Sequence, residues 1–293
     1  MLKIACIPAY NEGDVISKII NDVSKYVDKV IVCDDGSTDD TFLNAKKSGA
    51  YVIKHLTNKG KGAAMRSLFN EAKKISADII ITLDGDGQFL PEEIPKLVEK
   101  LIQKNADIVI GYRFDKKENK IPTHRRVGNK ILDKITNLAS ELPFRDTQSG
   151  FRAYSKKAID IIEFSSNGFT ADSEILIDAS GKKLKILEEK ITVLYNTGRK
   201  TSTKGVMSHF SELIGGIIRI IAIRHPLRYL GIPGFILLIL GILYSGIVIS
   251  IFNETRYFSI PSTFVALGSL MIGLVLLLMA VVLYSISNLE RNK

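Results

Sequence analysis

Leu83-Asp84-Gly85-Asp86-Gly87-Gln88 follows the apolar run Ile79-Ile80-Ile81-Thr82, so two carboxylates flank one small residue where a strand should end. Alternation along an extended segment puts both on one side, where they can bind a hard divalent cation that bridges a substrate diphosphate. A calcium-binding loop of the EF-hand type needs Gly at its sixth position and Glu at its twelfth. Phe89 and Pro95 stand there, which excludes it. A plain Asp-Gly turn remains the competing explanation of the segment taken alone.

Three further segments have the same setting. Val32-Cys33-Asp34-Asp35-Gly36-Ser37-Thr38-Asp39 sets two carboxylates at a strand end, suited to the base and ribose of a nucleotide. Ser37 or Thr38 would equally serve to cap a helix beginning near Asp39 or Asp40. In Pro8-Ala9-Tyr10-Asn11-Glu12, Pro8 should stop the first strand. Tyr10 and Glu12 could then stack on and hydrogen-bond a nucleobase, or Glu12 could simply open the next helix. Asn58-Lys59-Gly60-Lys61-Gly62-Ala63-Ala64-Met65 is a glycine loop opening a helix. Met65 replaces the third glycine of a dinucleotide fingerprint and no Walker spacing follows, so phosphate contact and close helix–sheet packing stay open for it.

These segments need a scaffold, and the sequence supplies one. Strand patterns at 3–8, 29–33, 51–54, 79–83 and 108–110 alternate with helical patterns at 14–26, 38–48, 62–75 and 92–105. Such alternation predicts an α/β domain with a mostly parallel, Rossmann-like sheet covered on both faces, whose ligands sit beyond the carboxyl ends of the strands. Residues 114–148 read as a basic loop leading into an amphipathic helix. Residues 206–223 read as a second amphipathic helix, with Arg224, His225 and Arg228 after it.

In their order, these segments resemble the family 2 glycosyltransferases with a GT-A fold, in particular the dolichyl-phosphate mannose synthase and polyprenyl-phosphate glucosyltransferase branch. The resemblance covers residues 1 to about 205. It rests on PAYNE (8–12), DDGSTD (34–39), NKGKGAA (58–64), DGDGQ (84–88), GYR (111–113), DTQSGFRAY (146–154) and GFTADSE (168–174). It implies metal and diphosphate binding by Asp84, Asp86 and Gln88, with Mg²⁺ or Mn²⁺ as cofactor. It implies nucleotide-sugar binding by Pro8, Tyr10, Glu12 and Asp35, with Asp34 nearby and Lys61 in the glycine loop. Acceptor phosphate falls to Arg113, Arg125 and Asn129, and to Arg199 and Lys204 of the basic loop 198–204, whose spacing departs from the family form. Gln148-Ser149-Gly150-Phe151 is expected on the acceptor side, and Glu174 is expected to support the site from a helix.

The 293 residues carry 40 basic and 31 acidic side chains, yet mean hydropathy is +0.14, so charge and apolarity must be segregated. Residues 231–289 hold only Glu254 and Arg256. Ile232–Phe252 and about 263–286 are each long enough to cross a bilayer. Arg224 and Arg228 before the first, with Arg291 and Lys293 after the second, predict both termini and the catalytic domain on the cytoplasmic side. The expected division is a GT-A domain at 1–205, an interfacial helix and basic linker at 206–230, and two spans at 231–289. The chain opens without a signal-peptide pattern, and its two cysteines make no disulfide framework. A net charge of +9 without any nucleic-acid-binding signature points to phosphates and acidic lipid, not nucleic acid. The longer second span leaves room for packing against a second copy, a homo-oligomer.

The expected reaction is single displacement with inversion: a hexose moves from a nucleotide diphosphate sugar to a polyprenyl (dolichyl) phosphate. That acceptor is already an anion and needs orientation by Arg113, Arg125 and Arg199 more than it needs a base. His55, His124, His209 and His225 are scattered and take no assigned role. Two alternatives stand beside this. One is a non-processive transferase to a sugar hydroxyl, with Asp172 or Glu174 as base. The other is an inactive nucleotide-sugar-binding scaffold.

Overall fold

A computed structural model describes residues 1–113, 130, 133–134, 136–168, 170–194 and 226–291. They fall into two units, one within Met1–Ile217 and the other within Ile218–Lys293. The boundary expected at 205 and the helix expected over 206–223 lie outside the described residues, as does most of the basic segment 114–129.

The first unit is built on β1 (Lys3–Ala9), β2 (Lys29–Asp34), β3 (Tyr51–Lys54), β4 (Ile79–Thr82), β5 (Ile108–Tyr112), β6 (Arg152–Ser155) and β7 (Ile186–Lys190). They form one sheet in the order β3-β2-β1-β4-β6-β5-β7. Every pairing is parallel except those of β6, which runs antiparallel to both β4 and β5. Successive strand residues sort to opposite faces, as a period of two demands. Ala5, Ile7 and Ala9 pack under α1 (Ile16–Val23), α2 (Thr41–Lys47) and α4 (Ile94–Gln103). Ile4 and Cys6 pack under α3 (Lys61–Lys74), α5 (Lys156–Ile161) and α6 (Ala171–Gly181). In α1 the buried set is Ile16, Ile19, Ile20 and Val23, one stripe of a 3.6-residue period; each such side chain contributes about 1.5–3 kcal/mol of burial. Cys6 and Cys33 are buried free thiols, each pushed up to about 12 by burial.

Pro8 does not stop β1, which continues to Ala9. Pairing of β1 with β4 ends at Cys6 while pairing with β2 runs on to Ala9, so the missing N–H of Pro8 removes nothing from the β4 ladder. The helix after β2 begins at Thr41 with no side-chain cap, so neither Ser37 nor Thr38 caps it. Both turn instead to the first loop: Ser37 Oγ accepts from Asn11 N–H, while the Thr38 N–H and hydroxyl donate to Asn11 Oδ1.

The second unit is a pair of helices, α7 (Ile232–Thr255) and α8 (Ile260–Arg291). The segments Leu227–Thr255 and Ile260–Ile286 are long and apolar enough to cross a membrane, with mean hydropathy 2.7 and 2.8. Only 6% and 17% of their most apolar windows are buried, so they are not the core helices of a folded globule. The helices approach through glycines: a Cβ on Gly273 would lie 2.7 Å from the Leu238 amide nitrogen, and one on Gly241 would lie 2.9 Å from that of Leu270.

Candidate active site

The carboxyl ends of β1, β2 and β4, the start of α3, the approach to β6 and the first turn of α6 supply the site. Asp84 Oδ1 accepts an ion pair from Lys61 Nζ at 2.8 Å, and the same ammonium reaches Asp172 Oδ2 at 2.9 Å. Burial works to lower the Lys61 pKa, but the carboxylates of Asp172 and Asp84 outweigh it and hold the ammonium above the ordinary lysine value. Asp86 Oδ1 accepts from the Gln88 amide at 3.0 Å, which fixes the second carboxylate on its turn. Burial first, then the neighbouring charge of Asp84, pushes the Asp86 carboxyl up to about 6. Two acids held close enough to repel each other suit a divalent cation, which would relieve that repulsion. Among the described residues no group of three or more His, Cys, Asp or Glu is arranged to hold a metal ion by itself. An ion held by Asp84 and Asp86 would take its remaining ligands from phosphate oxygens and water, as magnesium sites on nucleotides commonly do.

Asp34 and Asp35 are both buried, at 0% and 3% exposure. Asp34 Oδ1 accepts from Ser37 N–H at 3.0 Å, while Oδ2 has no partner among the described residues. Asp35 is turned inward: Oδ1 meets His55 Nδ1 at 2.6 Å and Lys59 N–H at 3.0 Å, and Oδ2 accepts from Gly60 N–H at 2.7 Å. It thereby shapes the glycine loop. Tyr10, just after β1, stands 44% exposed. Glu12 takes its N–H to Thr41 Oγ1 at 2.8 Å, and its carbonyl starts α1 by accepting from Val15 and Ile16. The role expected of Glu12 at a nucleobase and its role in opening the helix are thus compatible.

Arg113 is held by a residue that sequence reasoning passed over. Its Nε donates to Asp146 Oδ2 at 2.7 Å, its Nη2 to Oδ1 at 2.8 Å and its backbone N–H to Oδ2 at 3.0 Å. Asp146 is fully buried and the arginine side chain is 14% exposed. A second unforeseen residue is Arg152, buried in the sheet. Its guanidinium donates to the carbonyls of Thr147, Ser149 and Asp172, tying the loop before β6 to the first turn of α6. Both residues lie in the segment 146–154, where the charge of Arg152 beside Phe151 and Ala153 was the available signal. A Cβ on Gly150 would be 2.6 Å from both oxygens of Asp84, so this segment packs directly on that carboxylate. Gln148 donates to Ser173 Oγ at 2.7 Å.

Glu174 accepts from the amides of Ser165 and Ser166 and from the Ser165 hydroxyl. That segment lies against α3, whose Gly62 amide donates to the Asn167 carbonyl at 2.8 Å. Glu174 thus fixes, from α6, the segment that packs on the glycine loop. Arg125, Asn129, Arg199 and Lys204, with Arg126 and Lys200, lie outside the described residues.

The sequence profile described as glycosyl transferase family 2 matches residues 4–162. The UDP-N-acetylglucosamine–dolichyl-phosphate N-acetylglucosaminyltransferase of Methanococcus voltae is 32% identical over 226 residues, 70% of this chain and 90% of that protein. The dolichol-phosphate mannosyltransferase of Pyrococcus furiosus is 33% identical over 217 residues, 68% of this chain and 58% of that protein. Glucosyl-3-phosphoglycerate synthase of Mycobacterium tuberculosis, solved with Mn²⁺, UDP-glucose and phosphoglyceric acid, superposes with a TM-score of 0.60 at 22% identity. That match covers 75% of this chain and 80% of the synthase. The fold is thus GT-A, and the chain belongs to glycosyl transferase family 2.

Proposed function

We propose that this protein is a membrane-bound inverting glycosyltransferase that moves a hexose from a nucleotide diphosphate sugar, of the GDP-mannose or UDP-glucose type, to a polyprenyl (dolichyl) phosphate. The observation that carries the reading is the pairing of two half-sites at one end of the sheet. Asp84, Asp86 and Lys61 form the donor side, and Arg113 locked on Asp146 forms the other. The two relatives above are named for different sugars and the same lipid carrier, which supports the acceptor while leaving the sugar to experiment.

Asp84 and Asp86, with Gln88 beside them, would hold Mg²⁺ or Mn²⁺, and such an ion supplies charge stabilisation to a departing nucleoside diphosphate. Lys61, kept cationic by Asp172, adds positive charge on the same side. Arg113 orients an anionic acceptor and offsets its repulsion from the donor; Arg125, Asn129, Arg199 and Lys204 are proposed to share that task. Transfer to a sugar hydroxyl would need a base, and the two acids suggested for it are engaged: the Asp172 carboxylate with Lys61 at 2.9 Å and Arg152 at 4.0 Å, Glu174 with Ser165 and Ser166. A phosphate acceptor needs none. The proposed layout keeps the catalytic domain at 1–205 and the linker at 206–230. It places two spans at 231–289, with domain and termini on the cytoplasmic face.

The test is transfer by the full chain in detergent, using labelled UDP- and GDP-sugars, a short polyprenyl phosphate and Mg²⁺ or Mn²⁺, with Asp86→Ala as control. A mild-acid-labile lipid product that needs metal and vanishes in the variant is expected. Donor hydrolysis without lipid product would move the acceptor to another glycan. Donor binding without turnover would favour a scaffold.

A further inference from the structure

His55 follows β3 and is 9% exposed, with both ring nitrogens engaged. Nδ1 meets Asp35 Oδ1 at 2.6 Å, and Nε2 meets Ser67 Oγ on α3 at 2.9 Å. Its own N–H donates to the Asp34 carbonyl at 2.9 Å. The ring thus bridges the ends of β2 and β3 to the second turn of α3. Asp35, fixed by that ring, uses its two oxygens to hold the amides of Lys59 and Gly60. Gly60 has φ +94°, and a Cβ on it would strike the Asn167 carbonyl, so the loop has a single way in. α3 begins at Gly60 with no side-chain cap of its own, and the next residue is Lys61.

We infer that His55 is a positioning residue for the donor diphosphate: acting through Asp35, it fixes the Lys59–Gly60 backbone and so sets Lys61 between Asp84 and Asp172. The physical reason is rotational. A buried carboxylate whose only donors are two amides of one loop can turn with the loop. A third, short bond from a ring anchored on α3 holds the carboxylate plane, and the loop must conform to it. The inference rests on the nucleotide-sugar reading above and adds a residue through which that site is built.

The test uses the full chain in detergent, titrated calorimetrically with UDP and GDP in the presence of Mg²⁺ or Mn²⁺. His55→Leu keeps approximate volume and loses both ring bonds. His55→Asn sets an amide nitrogen where Nδ1 stands and restores only the Asp35 bond. His55→Gln reaches toward Ser67 and leaves Asp35 without its third donor, so it replaces His55→Leu should that variant not fold. Nucleoside diphosphate affinity should fall about tenfold or more in His55→Leu and His55→Gln, and recover in His55→Asn. Donor KM should rise by a similar factor while acceptor KM stays within about twofold. Unchanged affinity in His55→Leu, an Asn variant as weak as the Leu variant, or donor and acceptor KM rising together in step with lost melting temperature would each overturn the inference. Wild-type protein that binds neither nucleotide would overturn this inference and the transferase reading together. Wild-type binding with an unaffected His55→Leu removes this inference alone.

Discussion

Gly150→Ala should separate catalysis from stability, because the added methyl meets one particular group. Its Cβ would lie 2.6 Å from both oxygens of Asp84 and 2.8 Å from Cγ, where ordinary contact begins at 3.4 Å. Something must therefore move by about 0.8 Å. The backbone of Gly150 is poorly placed to yield: its carbonyl accepts from the buried Thr82 hydroxyl at 2.8 Å, and β6 starts two residues later between two partners. Asp84, with 30% side-chain exposure, is the group that can swing. The fold then loses little beyond the Lys61–Asp84 pair, about 1 kcal/mol. The site loses more, since metal–ligand distances tolerate only about 0.2 Å and a displacement on the order of 1 Å at a reacting centre costs about a hundredfold. Transfer rate and metal-dependent nucleotide affinity should both collapse while the melting transition stays within a few degrees. The chain has no tryptophan, so circular dichroism is the suitable probe of melting. Wild-type turnover in Gly150→Ala, or a loss of turnover that merely tracks a loss of folding, would refute this account of the donor side.

Asp146→Asn should behave differently, destabilising the protein by about 3 kcal/mol because it removes a buried carboxylate paired with the largely buried Arg113 guanidinium. It should also raise acceptor KM more than donor KM, which steady-state kinetics with each substrate varied would show. Asp133 gives a pH dependence. Its carboxylate accepts from the Thr147 amide and hydroxyl, and burial pushes the carboxyl up to about 7 against the lowering effect of that amide. The unfolded chain ionises this acid near pH 4, so between about 4 and 7 the native state binds the extra proton and stability falls as pH rises, by up to about 4 kcal/mol in all. Asp133→Asn keeps an acceptor for Thr147 and should flatten that slope, so denaturation series at pH 5 and pH 8 should diverge for wild type and converge for the variant.

The first five strands were legible because each strand–helix unit carries its own pattern, and the carboxylates at Asp84 and Asp86 were legible because two residues of one turn state their own geometry. What remained hidden depends on distance along the chain. Lys61 and Asp172 are 111 residues apart, Arg113 and Asp146 are 33 apart, and nothing local in either member announces the other. β6 escaped notice because it is short and opens on a charge, Arg152, which is accommodated by three surrounding carbonyls. β7, Ile-Leu-Glu-Glu-Lys, is a half-buried edge strand whose pattern alternates too little to declare itself. Pro8 misled in the opposite direction, since a proline reads as a stop until the neighbouring ladder is known to have ended already.

The antiparallel strand β6 also imposes an order of manufacture. β4 and β5 leave the ribosome early, yet they are not neighbours; the space between them is filled by residues 152–155. From the emergence of Tyr112 until that of Arg152, a nascent chain carries an unclosed sheet edge, an interval on the order of seconds at ordinary rates of synthesis. The strand that closes the edge brings Asp146 and Gly150 immediately ahead of it. Closing the gap between β4 and β5 and delivering Asp146 and Gly150 are therefore one event, and a nascent chain arrested before it lacks both.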